Sequence, residues 1–302
     1  MNPAGAVSDA AYALDHALLR RRFARAAGGY AHADVLAREL GRRMDERLDY
    51  IRCTPRRIVD LGCGPGSDLA TLAARYPQAE CIGIDFAAPM LDAARRQAQA
   101  RRGLVDRLLG RTPPPALLCA GAEALPLADA SVSLLWSNLM LNWLSDPLPA
   151  LREMHRVLEV GGMVMFSTLG PDTLKELRAA IPAAAGERVH RFIDMHDIGD
   201  ALVKAGFADP VMDMEMLTLT YADVDSLFAD LRQSGSTLAT TARARGLGGR
   251  APWNEVRTQY EALRAGGRLP ATFELIQGHA WKAAPRSTAD GRAIVRFQPR
   301  PR

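Results

Sequence analysis

Arg57-Ile58-Val59-Asp60-Leu61-Gly62-Cys63-Gly64-Pro65-Gly66 is the stretch whose reading decides the fold. A short run with β-branched residues reaches Asp60 and Leu61, then breaks into glycines at alternate positions, Gly62, Gly64 and Gly66. From Ser67 to Tyr76, Leu69, Leu72, Ala73 and Tyr76 recur at helical spacing until Pro77 stops them. This predicts strand, tight turn and helix. Such a turn lets backbone approach a ligand closely at the carboxyl end of a parallel strand. A second short strand, Glu80 to Ile84, then delivers Asp85, with Phe86 behind it. Asp85 stands roughly 20 residues past the glycines, the offset at which folds of this kind hold a ribose.

Further along, the alternation continues. Pro89 opens a helix through about Ala100, and residues 101–115 form a basic insertion ending in three prolines. Ala116–Cys119 reads as a third strand and Val132–Trp136 as a fourth, followed by Ser137-Asn138 and Asn142-Trp143. A helix from Pro147 to Val157 and the turn Gly161-Gly162 lead into a fifth strand, Met163–Thr168. Strands alternating with helices at this spacing imply an α/β protein with a parallel sheet covered on both faces.

Helices are also predicted at Asp172–Ala180 and His196–Ala205, and an extended strand at Phe207–Tyr221. In that strand Met212, Met214 and Met216 alternate with Asp213 and Glu215, which predicts one buried methionine face. Residues 223–268 read as a helical insertion broken at Gly246–Gly249, and Ala271–Trp281 as the last strand. At the amino end, a basic amphipathic helix stops at Gly28-Gly29 beside Tyr30, and a second carries Leu36, Leu40, Met44, Leu48 and Ile51. The domain expectation is a helical cap over 1–54 and a main domain over 55–282. The main domain holds a helical lid at about 222–270, and a disordered tail fills 283–302.

Composition narrows the class. The 302 residues are 48% apolar, enough for one large α/β domain with insertions or for two small domains. No run approaches the ~20 apolar residues of a membrane span, and no secretory signal is evident. Four cysteines without Cys-x-x-Cys pairing argue against zinc or a disulfide framework; each is expected to be a small buried side chain. A cytoplasmic protein with no membrane and no metal is the expectation. The net charge of +4, mostly arginine, permits an acidic partner. Nucleic acid is not expected, because no aromatic platform lies among the basic clusters and no Asn-Pro-Pro-Tyr motif follows the fourth strand.

The glycine pattern separates cofactors. A dinucleotide fingerprint places its third glycine where this chain has Ser67. Asp60-x-Gly62-x-Gly64-x-Gly66 instead resembles the nucleoside-binding signature of class I S-adenosylmethionine-dependent methyltransferases. That resemblance implies a Rossmann-like, mostly parallel seven-stranded sheet. It puts Asp60 near the cationic amino acid end, Asp85 on the ribose hydroxyls with Phe86 beside it, Ala122 and Glu123 in the adenine loop, and Asn138 beside the transferring methyl. Asn142-Trp143 follows on the same side.

Other segments resemble the malonyl-acyl-carrier-protein O-methyltransferases of biotin synthesis. These are Phe166 to Arg178, Phe192-Ile193-Asp194-Met195-His196-Asp197, Asp230-Leu231-Arg232, Leu269 to Glu274, and Phe23-Ala24-Arg25-Ala26-Ala27 leading to Tyr30. The resemblance spans about residues 20–282. It implies methyl transfer from S-adenosylmethionine to the free carboxylate of malonyl-acyl carrier protein, or of malonyl-CoA, with Tyr30 closing over the cofactor. Tyr30, Asn138 and Trp143 are the expected catalytic residues. Arg178, Arg191 and Arg232 are the candidates to hold the substrate carboxylate, since arginine binds carboxylate in two parallel bonds. Residues 231–268 hold seven arginines against two acids, and Arg20–Arg25 hold four more, enough to dock an acidic carrier. Two other readings stay open: arginine modification of a partner during respiratory-complex assembly, and a non-catalytic assembly module.

Overall fold

A computed structural model describes residues 13–101, 115–182, 186–243 and 250–285, the side chains of 250–252 excepted. The expectations for the first 12 residues, most of the proline-ended insertion, the break at Gly246–Gly249 and most of the tail lie outside the described residues.

β1 (Arg57–Leu61), β2 (Glu80–Asp85), β3 (Ala116–Cys119), β4 (Val132–Asn138), β5 (Leu158–Leu169), β6 (Ala208–Tyr221) and β7 (Leu269–Trp281) form one sheet in the order β3-β2-β1-β4-β5-β7-β6. β1 pairs in parallel with β2 and β4, and β7 alone runs against its neighbours β5 and β6. Ile58, Val59, Asp60 and Leu61 are all buried because both faces of β1 are covered. On one face lie α2 (Val35–Arg47), α3 (Ser67–Arg75) and α4 (Ala88–Arg101), which meet the sheet through Met44, Leu72 and Leu91. On the other lie α5 (Leu148–Val157) and α7 (Met195–Lys204), through Leu151, Met154, Ile198 and Leu202.

Helix α1 (His16–Ala26) precedes these and begins at Asp15, whose side chain accepts from Leu18 N at 2.9 Å. Helix α6 (Lys175–Ala180) follows β5, and α8 (Val224–Gln233) and α9 (Arg250–Glu261) lie between β6 and β7. The amino-terminal strip is stitched to the stretch after α8. Leu14 forms an antiparallel bridge with Thr240, Asp15 N donates to Ala239 O, and Thr241 N donates to Ala13 O. Arg243 pairs with Asp15 at 3.1 Å, and Arg22 donates to the carbonyls of Thr237 and Leu238.

Several sequence expectations are corrected. The helix expected from Asp172 starts only at Lys175. Residues 170–174 instead form a turn buckled onto β7, where Asp172 N donates to Glu274 and Leu174 N to Thr272 O. Gly170 leaves room for this, since a Cβ would meet the Glu274 carboxyl at 2.3 Å and push it from Asp172 N. β5 takes in the Gly161-Gly162 stretch and begins at Leu158. The methionine face of β6 is not buried, because β6 is the sheet edge. Met214 and Met216 are 46% and 42% exposed, and only Met212 packs against the core. Asp213 and Glu215 pair instead with Arg47 and Arg43 of α2. Of the cysteines, Cys63 is buried but Cys119 is exposed. No helix among the described residues is long and apolar enough to cross a membrane.

Candidate active site

The carboxyl ends of β1, β2 and β4 carry the chemistry. After β1 the backbone turns through Gly62, Gly64 and Gly66 at φ +80°, +49° and +82°, a left-handed path that glycine takes without strain. Gly62 also lies under Met140, whose Cβ would stand 2.6 Å from a Cβ at that position. Asp85 braces the turn: its carboxylate accepts from Gly64 N at 3.0 Å and from Ala87 N at 2.8 Å. Burial pushes the Asp85 carboxyl up to about 6, against the pull of those two bonds.

Asp60 is 1% exposed, and its Oδ2 has no hydrogen-bond partner among the described residues. Burial, with Asp68 and Asp85 nearby, holds this carboxyl well above the usual range. An isolated buried carboxylate is costly unless a cation or donor completes it. Asp60 and Asp85 beside a close-approach glycine turn therefore fit a ligand with an ammonium group and a ribose. Ala122 and Glu123 follow β3 on the next loop, Ala122 half-buried against the core and Glu123 exposed.

Leu139, next to the Met140 that covers Gly62, lines a cavity of about 770 Å³. Tyr30, Phe23, Trp143 and His190 line it, with a deep wall that includes Leu36, Leu139, Leu174, Leu177 and Phe273. Phe23 connects the two regions, its ring 5.7 Å from that of Phe86 and 5.2 Å from that of Trp143. Asn142, with its amide oriented to satisfy both neighbours, donates to Leu139 O and accepts from Trp143 Nε1, each at 3.0 Å. Leu139 and Leu174 hold φ of +54° and +56°, a conformation that costs of order 1–3 kcal/mol in a non-glycine residue. Tyr30 stays protonated, its pKa raised by burial and then by Asp34, Asp85 and Asp68.

Asn138 ends β4, and its side chain is fully engaged within the fold. Both amide protons are taken, by Ala37 O at 2.8 Å and Asp68 Oδ2 at 2.9 Å, while its Oδ1 accepts from Ser167 at 2.7 Å. Asp68 also accepts from Trp136 Nε1 at 2.9 Å. Asn138 thus ties α2 to the end of the sheet. Gly41 permits this, because a Cβ there would stand 2.5 Å from Asp68 Oδ1. Asp68 carries no motif signal beyond its place at the start of the helix after the glycine turn.

Two of the three candidate arginines lie outside the cavity lining. Arg178 turns its guanidinium onto the carbonyls of Pro171, Thr173 and His190, and Arg191 pairs with Glu187. Neither lines the cavity; Arg232 does. The basic rim is completed by arginines outside the expected trio. Arg22 and Arg243 pin the stretch after α8, Arg188 lies over the Trp253 ring at 5.7 Å, and Arg257 pairs with Asp225. Among the described residues no group of His, Cys, Asp and Glu is arranged to hold a metal ion.

A model of the Methyltransferase domain matches residues 59–166. The solved structure of the YcgJ protein of Bacillus subtilis superposes with a TM-score of 0.56 over 80% of this chain and 98% of that one, at 18% identity, which shows a shared fold. Fold and glycine turn define a class I methyltransferase that uses S-adenosylmethionine as methyl donor. The chain is 49% identical over 293 residues to the malonyl-[acyl-carrier protein] O-methyltransferase of Laribacter hongkongensis, covering 96% of this chain and 98% of that protein. The protein of the same name from Gallionella capsiferriformans is 48% identical over 289 residues, 94% and 97% of the two chains. The chain belongs to the malonyl-[acyl-carrier protein] O-methyltransferase family.

Proposed function

We propose that this enzyme methylates the free carboxylate of a malonyl group carried as a thioester on acyl carrier protein, giving the methyl ester that primes pimeloyl synthesis for biotin. The observation that carries this reading is a largely apolar cavity, lined also by five arginines, whose Phe23 meets the Phe86 that follows Asp85. Such walls suit an acyl thioester, and the arginines suit an acidic carrier.

S-adenosylmethionine supplies an electrophilic methyl group on a cationic sulfur. The acceptor carboxylate is ionised near neutral pH, since ordinary carboxyls titrate near 4, so no general base is required. Its oxygen forms the new bond to the methyl carbon as the carbon–sulfur pair leaves to the sulfur. Catalysis then rests on in-line alignment and on exclusion of water. In this reading Asp60 faces the ammonium group, the Gly62–Gly66 turn lies against the amino acid end, and Asp85 accepts from the ribose hydroxyls. Phe86, Ala122 and Glu123 flank the adenine. Tyr30 and Trp143 close over the methyl. Asn138 acts by holding α2, the helix that follows Tyr30 in the chain. The helices before residue 54 serve as the cap and the insertion at about 222–270 as the lid. Arg232, which has no ion pair among the described residues, meets the carboxylate or the phosphate of the carrier arm.

The deciding assay offers malonyl-carrier protein beside acetyl-carrier protein, with methyl-labelled cofactor. Base-labile label on the malonyl form alone is the expected result; a protein that binds the cofactor and labels neither carrier sinks the reading. Malonyl-CoA in parallel measures what the carrier itself contributes.

Asp85 makes cofactor affinity depend on pH. Ribose hydroxyls donate to its ionised form, and in the ligand-free protein that form is lost below about 6. The Asp85 contribution to affinity is expected to be constant above the transition and to fall by about tenfold per pH unit below it. Calorimetric titrations between pH 5 and 8 check this; a flat profile to pH 5 removes Asp85 from the ribose.

A further inference from the structure

His190 is buried in the cavity wall, with its ring perpendicular to that of Trp143 at 5.1 Å. Two backbone groups meet its Nε2, Ala239 N and Thr237 O, each at 3.1 Å. They make opposite demands, because an amide N–H only donates and a carbonyl only accepts. Thr237 O already accepts from Arg22 Nη1, whereas Ala239 is 0% exposed and its N–H has no other acceptor among the described residues. Leaving that N–H unpaired is the costlier alternative, about 1–3 kcal/mol. Nε2 therefore accepts. The ring is neutral near pH 7, its pKa lowered by burial to about 4, so its one proton sits on Nδ1. Nδ1 has no partner among the described residues, and the residue lines the cavity.

A neutral N–H donor here, one ring from Trp143 and beside an Arg22 already engaged by the Thr237 and Leu238 carbonyls, has a chemical use. An arginine fork would engage both oxygens of a carboxylate and draw charge from the nucleophile. A single neutral donor holds one oxygen and leaves the other its lone pairs. We propose that His190, through Nδ1–H, binds one oxygen of the acceptor carboxylate and turns the other toward the methyl group. This rests on the reading that the malonyl group enters this cavity.

The test is steady-state kinetics on malonyl-carrier protein with three variants. His190→Asn keeps an N–H at the δ position, His190→Gln moves the amide to the ε position, and His190→Phe removes every donor. Loss of one hydrogen bond to a charged group is worth roughly tenfold or more. KM for malonyl-carrier protein is expected to rise by about tenfold in the Gln and Phe variants and to stay within about threefold in Asn, with KM for S-adenosylmethionine unchanged in all three. An unchanged acceptor KM in an active His190→Phe overturns the proposal. So does a rise in Asn equal to that in Gln, which remains decisive if Phe does not fold. Failure of the wild-type enzyme to methylate the malonyl carrier sinks the functional reading instead. In that case nitrogen-15 NMR of the His190 ring decides, with the Nδ1–H tautomer expected and the Nε2–H tautomer fatal.

Discussion

Changing Asp60 to asparagine is expected to weaken S-adenosylmethionine binding by about a hundredfold and, in the same protein, to raise the melting temperature of the ligand-free form. The first effect follows from removing the buried charge proposed to face the ammonium group; charge pairs of this kind are worth several kcal/mol when one partner is truncated. The second follows from the sign of the carboxyl's shift. Asp60 titrates well above its ordinary value of 3.8 in the folded chain, so its ionisation opposes folding. That penalty is absent at pH below the unfolded value and grows as pH rises through the interval up to the folded one. Asparagine has nothing to ionise. The stabilisation should therefore be plain at pH 7.5 and shrink as pH falls toward 4. Calorimetry reads the binding and thermal melts read the fold. Unaltered affinity removes Asp60 from the cofactor site, and a lower melting temperature at pH 7.5 contradicts the electrostatic account.

Changing Asp68 to alanine attacks the framework. Its carboxylate is the acceptor for both Trp136 Nε1 and Asn138 Nδ2. Trp136 is 1% exposed, so its N–H cannot turn to water. Each donor stranded in the interior costs about 1–3 kcal/mol, while relief of the buried carboxyl offsets part of that loss. A net destabilisation of about 2–4 kcal/mol is expected, with an unchanged slope in urea unfolding. Activity should fall further than stability, because α2 carries Leu36 and Ala37 of the cavity wall and loses its anchor through Asn138. Stability within about 0.5 kcal/mol of wild type would contradict this account, that being the spread of ordinary surface substitutions.

The strand, turn and helix around Gly62–Gly66, and the acid ending the second strand, were legible in the sequence because local rules govern them. Alternate glycines demand a left-handed path, and a short apolar run can lie only between covered faces. The methionine pattern of β6 misled for a tertiary reason: alternation marks a strand with two unlike faces, but whether either is covered depends on neighbours that an edge strand lacks. Chemical type marks Arg178 and Arg191 as able to bind a carboxylate, but type does not tell which way a guanidinium turns. Nothing local could reveal that Asn138 spends both its protons on Ala37 and Asp68, since the three come together only through folding. The same holds for His190, whose tautomer is set by a backbone amide on a distant segment.

The joint between the amino-terminal strip and the stretch after α8 bears on how the protein is born. Arg22 and Leu238, which meet in it, are 216 positions apart in the chain. Contacts of such separation form late, because a very long loop must close before they contribute. On the ribosome α1 emerges long before the stretch after α8, with Leu19 and Phe23 waiting for their cover, and the cavity acquires its wall only once that stretch is out. A nascent chain that already holds the glycine turn, and even the nucleoside, has no enclosed chamber for an acyl group until the stretch after α8 has been made.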